Sequence, residues 1–89
     1  MRHVTQRKQF GDDLRRQKRS GGNVAELIAV VEILAETGTL PVAYRPHQLR
    51  GRWKGVWECH IESDWLLIYE VTDTEVLLIR TGSHSELFE

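Results

Sequence analysis

The sequence contains little that would hold a fold together covalently, since Cys59 is its only cysteine. A single thiol excludes an intramolecular disulfide and is typical of a reducing compartment, so we expect a cytoplasmic protein in which Cys59 packs as a small apolar side chain. No apolar run approaches the roughly eighteen residues that a membrane span needs. The N-terminal segment lacks the continuous apolar stretch of a secretory signal.

The chain is also too short for a separate cofactor domain. Its 89 residues, of which 40% are hydrophobic and 28% charged, predict a single soluble domain over 1–89. The net charge of -1 hides an asymmetry, because residues 1–50 carry nine Lys or Arg against five Asp or Glu, whereas residues 51–89 carry three against eight. A polyanion would have to approach the first half, although charge alone favours the simpler interpretation that these side chains solvate an exposed helix face.

Two helices are predicted in the first half. Phe10 and Leu14 give the first helix a narrow apolar stripe. We expect a brief edge strand at residues 1–5 to precede this helix, with Thr5 as its cap. The glycine pair at 21–22 is expected to end it. The second helix starts at Asn23 and ends at Gly38. Its apolar residues recur with helical period at Val24, Leu27, Ile28, Val31 and Leu34.

The second half predicts a small sheet. Residues 40–54 contain two prolines and are predicted to form a loop. Strands follow at 57–61, Trp65–Val71 and 76–79, and the short turns between them predict an antiparallel meander. Ser-x-x-Glu at 83–86 predicts a capping box for one last helical turn. The expected fold is therefore α+β, with an antiparallel sheet of about four strands and two N-terminal helices on one face.

Ionisable side chains are concentrated around these strands, in the order His47, His60, Asp64, Arg80, His84. In a meander His60 lies on the face opposite Cys59, and Arg80 shares that face if the register permits. Histidine exchanges protons near neutral pH, and an arginine stabilises negative charge. Cleavage of RNA without a metal needs this set, because a base activates the 2'-hydroxyl, an acid protonates the leaving 5'-oxygen and a cation supports the phosphorane-like transition state.

Each residue also has a structural interpretation. A histidine on a strand is often a hydrogen-bonded surface residue, Asp64 can form a turn, and Arg80 can pair with a neighbouring glutamate. Trp53 and Trp57 can stack on bases or pack in the core. A zinc site is not favoured, because the spacings of the three histidines and the aspartate match no standard zinc signature.

Three separated segments resemble the YafQ family of toxins, within the RelE and ParE superfamily of type II toxin-antitoxin systems. These segments are residues 47–55, 58–69 and 80–88, in the same order and spacing as in the family. The resemblance implies a RelE-like fold and a ribosome-dependent messenger RNA endonuclease without a cofactor. It also implies a cognate ribbon-helix-helix antitoxin, whose complex with the toxin binds operator DNA.

The resemblance further implies roles for individual residues. The active-site groups carried over are His47, His60, Asp64 and His84, with His84 as proton donor, Asp64 or His47 as base, and His60 positioning the RNA. The supporting groups for RNA binding and the transition state are Arg80, Trp65, Phe88, Arg50, Arg52 and Lys54. The sequence pI near 6.4 is low for a ribosome-binding protein, so attraction to RNA should come mainly from the first helix and the loop around residues 45–54.

Two alternatives remain from the sequence. A ParE-like relative would keep this fold and inhibit DNA gyrase without cutting RNA. A catalytically degenerate module would act only in complex with an antitoxin.

Overall fold

The computed structural model describes residues 1–51 and 55–88. Arg52, Trp53 and Lys54 lie outside the described residues. The strands are β1 (His3–Gln6), β2 (His47–Gln48), β3 (Trp57–Glu62), β4 (Trp65–Val71) and β5 (Glu75–Gly82); the helices are α1 (Lys8–Arg19), α2 (Val24–Thr37) and α3 (His84–Phe88), with a 3₁₀ turn at Val42–Tyr44.

The strands form one sheet in the order β1-β5-β4-β3-β2. Strands β3 to β5 pair antiparallel, as the meander predicted; β2 adds antiparallel to β3, and β1 pairs parallel to β5. The α+β class and the helices packed on a sheet are confirmed. The sheet is mixed and has five strands, because α1 and α2 intervene between β1 and the meander and let the chain return beside β5.

Three local predictions were wrong. Thr5 does not cap α1, because β1 continues through Gln6 and the Arg7 N–H bonds the Leu78 carbonyl; Arg7 precedes the helix instead. The predicted loop at 40–54 contains the 3₁₀ turn and β2. Strand β5 extends past Ile79 to Gly82, because its end pairs with β4.

The first face of the sheet carries the main core. Phe10 of α1 and Leu34 of α2 are buried against Cys59, Leu67 and Leu78. The alternation of β3 and β4 sends their odd-numbered apolar residues into this core, which explains why both helices lie on the same face. Asn23 precedes α2, and Gly38 ends it in the left-handed conformation, as predicted.

The second face carries a smaller apolar cluster and α3. Ile68 and Ile79 are buried there, with Leu87 of α3 packed against them. Gly82 lets α3 approach closely, since a Cβ at this position would lie 2.9 Å from Glu86 Oε1. Helix α3 therefore packs on the same face from which the even-numbered side chains of β3 project.

A buried carboxylate joins α1 to β5 beyond the end of β1. Asp13 is fully buried and accepts hydrogen bonds from Arg80 Nε (2.6 Å), Arg80 Nη2 (3.1 Å) and the Thr81 backbone N–H (3.2 Å). Strand β1 pairs with β5 only as far as Leu78, so Asp13 satisfies a backbone donor that β1 does not reach. Burial by itself raises the pKa of Asp13, but the bonds from Arg80 and Thr81 outweigh it and lower the pKa overall.

We predict that Asp13→Asn destabilises the fold. The change leaves the Arg80 guanidinium without its counter-ion and weakens the bond to Thr81, at a cost of about 2–3 kcal/mol in the free energy of unfolding. Urea unfolding measures it. Asp12→Asn is the matched control, because the more exposed Asp12 pairs with Arg15 at the surface and should matter by less than about 0.5 kcal/mol.

The same carboxylate predicts a pH dependence. A pKa lowered by folding stabilises the protein above the ordinary value of 3.8, and this contribution is lost as the pH falls through the folded-state pKa. The difference in stability between the unmodified protein and Asp13→Asn should therefore shrink below about pH 4. A constant difference between pH 7 and pH 3 would contradict an ionised Asp13.

Candidate active site

His60 on β3 and His84 just after β5 lie close together on the second face. His60 of β3 pairs with Leu66 of β4, which pairs with Gly82 at the end of β5. His84 begins α3 two residues later, and its ring centroid lies 5.9 Å from that of His60. The cross-strand register therefore brings together residues that are 24 positions apart in the sequence.

Asp64 holds His84 in place. Its Oδ1 accepts a bond from the His84 backbone N–H at 3.2 Å and lies 3.3 Å from Nδ1 of the ring. These bonds from His84, first the backbone one, lower the pKa of Asp64, so its carboxylate is ionised near neutral pH. Because Nδ1 is directed at an ionised carboxylate, Nε2 is the His84 nitrogen that does not face Asp64. Both side chains are more than half exposed, so substrate can reach them.

The short helix α3 is held by hydrogen bonds between Ser83 and Glu86 and by contacts of Glu86 with α1. The predicted capping box is confirmed: the Ser83 N–H bonds Glu86 Oε1 at 2.8 Å, and the Glu86 N–H bonds Ser83 Oγ at 3.2 Å. Glu86 also contacts α1, accepting from Gln17 Nε2 and pairing with Arg16 Nε, both at 3.0 Å. These bonds lower the pKa of Glu86, the Ser83 backbone bond most. Helix α1 thereby sets the position of His84.

His47 lies next to this cluster, held by other partners. It pairs with Glu58 across β2 and β3, and its Nε2 lies 3.3 Å from the nearly buried Glu58 carboxylate. Its Nδ1 lies 3.2 Å from the backbone carbonyl of Arg45. Arg45 in turn reaches His60, with Nη2 3.1 Å from Nδ1. His47 and His60 are thus connected through one residue.

Two of the predicted supporting residues have structural partners. Arg80 pairs with Ile68 of β4, which pairs with Glu58 of β3, so the register puts Arg80 on the face of Glu58 and His60. Two of its side-chain nitrogens nevertheless bind Asp13. Its pKa is raised, chiefly by that hydrogen bond. Trp65 is buried in the core of the first face and donates its indole N–H to Thr81 Oγ1 at 2.7 Å.

The remaining predicted residues are at the surface or outside the described residues. The Phe88 ring centroid lies 6.2 Å from that of His84, and Phe88 is partly exposed. Arg50 is exposed after β2. Arg52 and Lys54 belong to the part of the chain that is not described. The structure therefore brings together His60, Asp64, His84 and Phe88, and connects His47 to them through Arg45. Arg80 and Trp65 instead make contacts that stabilise the fold.

The sequence assigned no role in the site to Arg45, Glu58 or Asp13. The strand pattern did place Glu58 on the same face as His60, but it gave no sign of the contact with His47. Arg45 lies in a segment predicted to be a loop, and Asp13 is one polar residue of a basic helix. No local pattern indicates a role for either residue.

The cluster can exchange protons and hold an anion, but its side chains do not form a metal site. Among the described residues, no group of three or more His, Cys, Asp or Glu side chains is arranged to hold a metal ion. Buried Cys59 is an unsuitable nucleophile, because burial raises its pKa to about 12. The groups that are present suit acid and base transfer by imidazoles next to carboxylates and guanidinium groups.

A family model described as the bacterial toxin YafQ of type II toxin-antitoxin systems matches residues 2–89. The chain belongs to the YafQ toxin family. The mRNA interferase toxin YafQ of Escherichia coli K12 is 36% identical over 81 residues, which cover 90% of this chain and 88% of that protein. The predicted family is confirmed.

Solved structures of YafQ and of a second bacterial toxin share the fold. The toxin in the E. coli DinJ-YafQ toxin-antitoxin complex superposes with a TM-score of 0.90 at 32% identity, over 99% of this chain and 98% of that one. A metal-bound toxin from Helicobacter pylori superposes with a TM-score of 0.90 at 37% identity, over 99% of this chain and 100% of that one.

No helix within residues 1–51 and 55–88 has the length and apolar character of a membrane span.

We predict that Glu86→Ala loosens the helix that carries His84 in this YafQ-family toxin. The variant loses the capping box and the contacts with α1, so α3 should open more readily by about 1 kcal/mol, or roughly fivefold. Hydrogen exchange of the Leu87 amide, which bonds the Ser83 carbonyl, reports this opening. Glu36→Ala, on the exposed surface of α2, should leave the Leu87 exchange rate unchanged.

Proposed function

We propose that this protein is the toxin of a type II toxin-antitoxin system and cleaves messenger RNA on the ribosome. The observation that carries the proposal is the Asp64–His84 pair 3.3 Å apart, facing His60 across an open surface. Family membership supports the toxin role, and the relative named an mRNA interferase supports RNA as the substrate. The protein would act in the cytoplasm, where ribosomes are.

The reaction proposed is attack of a 2'-hydroxyl on the adjacent phosphate, without a metal. The 2'-oxygen forms a bond to phosphorus while the bond to the 5'-oxygen breaks, which leaves a 2',3'-cyclic phosphate and a free 5'-hydroxyl. His84 gives the leaving 5'-oxygen a proton from Nε2, because Nδ1 is directed at Asp64. Asp64 keeps that ring oriented and stabilises its protonated form.

His47 is the better of the two candidate bases. Asp64 is committed to His84, and its lowered pKa makes it a weak proton acceptor. His47 has the Glu58 carboxylate beside Nε2 and the Arg45 carbonyl beside Nδ1, so one of these contacts has to open for that nitrogen to accept the proton of the 2'-hydroxyl, while the other keeps the ring oriented. His60 then contacts the RNA and positions it.

Charge at the phosphate is stabilised by the arginines around the cluster. Arg80 uses Nε and Nη2 for Asp13, so it would contact a phosphate oxygen through Nη1. Trp65 supports the site indirectly, through the Thr81 side chain at the end of β5. Phe88, beside His84, offers a ring on which a base can stack. Arg50, Arg52 and Lys54, with the basic residues of α1, would attract RNA in a salt-dependent manner.

The test is cleavage by His84→Ala. Without the proton donor, the rate of messenger cleavage should fall by roughly 10²- to 10⁴-fold. Cleavage is measured by mapping transcript 5' ends in a translation reaction with purified ribosomes. The same transcripts are also incubated with the protein in the absence of ribosomes. His3→Ala is the matched control, because His3 is an exposed histidine on β1, at the opposite edge of the sheet from β2 and β3.

Equal cleavage by His84→Ala and the unmodified protein would overturn the proposed mechanism. Equal cleavage with and without ribosomes would overturn ribosome dependence. Inhibition of gyrase with intact transcripts would favour the ParE-like alternative instead.

We expect an antitoxin of the ribbon-helix-helix class, encoded next to this protein, whose disordered tail folds over the toxin and whose complex binds operator DNA. The E. coli DinJ-YafQ complex, built on the same toxin fold, supports such a partner. Co-expression with the neighbouring small protein should relieve growth arrest and yield a complex that co-purifies. Growth arrest unchanged by that protein would contradict the pairing.

A further inference from the structure

Arg45 has an unusual backbone conformation beside the candidate active site. It is the single non-glycine residue with positive φ among residues 1–51 and 55–88, at φ 49° and ψ 51°. The left-handed region costs an ordinary side chain about 1–2 kcal/mol, and glycine or asparagine would take it more easily. Pro46 follows and further restricts the backbone of Arg45.

The neighbouring segments hold Arg45 in this conformation. The 3₁₀ turn before it is tied to α2 by the Tyr44 hydroxyl, which donates to Glu26 Oε1 at 3.1 Å, and Tyr44 packs against the main core. The Arg45 N–H bonds the Val42 carbonyl at 2.9 Å. Directly after Pro46, β2 fixes the chain against β3. The strain is therefore imposed by well-anchored structure on both sides.

The left-handed turn lets one residue contact two histidines. The Arg45 carbonyl lies 3.2 Å from His47 Nδ1, and its guanidinium Nη2 lies 3.1 Å from His60 Nδ1. Any residue in this conformation would present the carbonyl. Only a long cationic side chain would also reach His60, so the contact with His60 is what arginine adds at this strained position.

The guanidinium fixes the state of the His60 ring. Arginine has N–H donors and no acceptor, so His60 Nδ1 must accept with its lone pair. The ring proton of neutral His60 is then on Nε2, which points the donor of His60 away from Arg45. Protonation of Nδ1 would remove the hydrogen bond and set two cations against each other.

We propose that Arg45 is a positioning residue that holds His60 as a neutral Nε2–H donor for the RNA phosphate. This rests on the proposed function, since His60 is taken to contact RNA. Arg45 contributes through His60 rather than through the fold, because its side chain is exposed and its guanidinium contacts the His60 ring.

The test compares Arg45→Asn with Arg45→Lys. Asparagine tolerates the left-handed backbone but cannot supply the cation, whereas lysine is also a donor without acceptors. Arg45→Asn should reduce cleavage roughly 10- to 100-fold, the scale of a misplaced reactive group, and Arg45→Lys should restore most of it. Arg45→Gly is a second variant compatible with the backbone, and thermal unfolding verifies that each variant is folded.

Two readouts separate positioning from a structural or purely electrostatic role. Added to His60→Ala, Arg45→Asn should cause no further loss of cleavage. In ¹H–¹⁵N spectra of the histidine rings, the His60 Nδ1 signal should be that of a hydrogen-bonded, unprotonated nitrogen in the unmodified protein and in Arg45→Lys, and should change in Arg45→Asn.

Additive losses, or a His60 Nδ1 signal identical in all variants, would overturn the role of Arg45. If the unmodified protein cuts no RNA, the proposed function fails, and the ring signals still decide whether Arg45 sets the state of His60.

Discussion

The buried carboxylate of Asp13 is the constraint on which the rest of this molecule depends. It lies where β1 ends and β5 continues, and it binds the side chain of Arg80 and the backbone of Thr81. An ionised group without solvent costs several kcal/mol unless it is paired and hydrogen bonded, so Asp13 permits one arrangement of α1 against β5. From α1, Arg16 and Gln17 reach Glu86 and fix α3. The position of His84 is therefore set by a carboxylate on a different helix.

The candidate site is built by the sheet register and finished by two short segments. Strand β3 places Glu58 and His60 on one face, β2 adds His47 opposite Glu58, and α3 adds His84. Each histidine has a charged partner: Glu58 for His47, Arg45 for His60 and Asp64 for His84. Three chemically identical side chains are thereby given different hydrogen-bond environments, which separate roles in proton transfer require.

Much of this arrangement was predictable from periodicity. The alternation of β3 placed Cys59 in the core and His60 on the other face, the turn residues predicted the antiparallel pairing of β3 to β5, and Ser-x-x-Glu predicted the start of α3. The family resemblance named three histidines and Asp64 as active-site groups; the structure brings His60, Asp64 and His84 together and connects His47 to them through Arg45. These features depend on local pattern, which a single sequence carries.

What escaped prediction depends on contacts between distant segments. The pairing of β1 with β5 joins His3 to Glu75, and no local pattern records it. Asp13 and Arg80 are separated by 67 positions, and either would be unremarkable alone. Strand β2 has two residues, too few for a period to be read, and the strain at Arg45 arises from what surrounds it.

The parallel pairing of β1 with β5 has a consequence for biosynthesis. Strand β1 pairs with β5, and Asp13 binds Arg80 and the Thr81 N–H there, so both depend on a strand that leaves the ribosome long after them. Until then the first helices have no complete sheet to pack on, and the segment bearing His84 emerges later still. The native packing of α1 and the placement of His84 therefore form only after translation has passed α3.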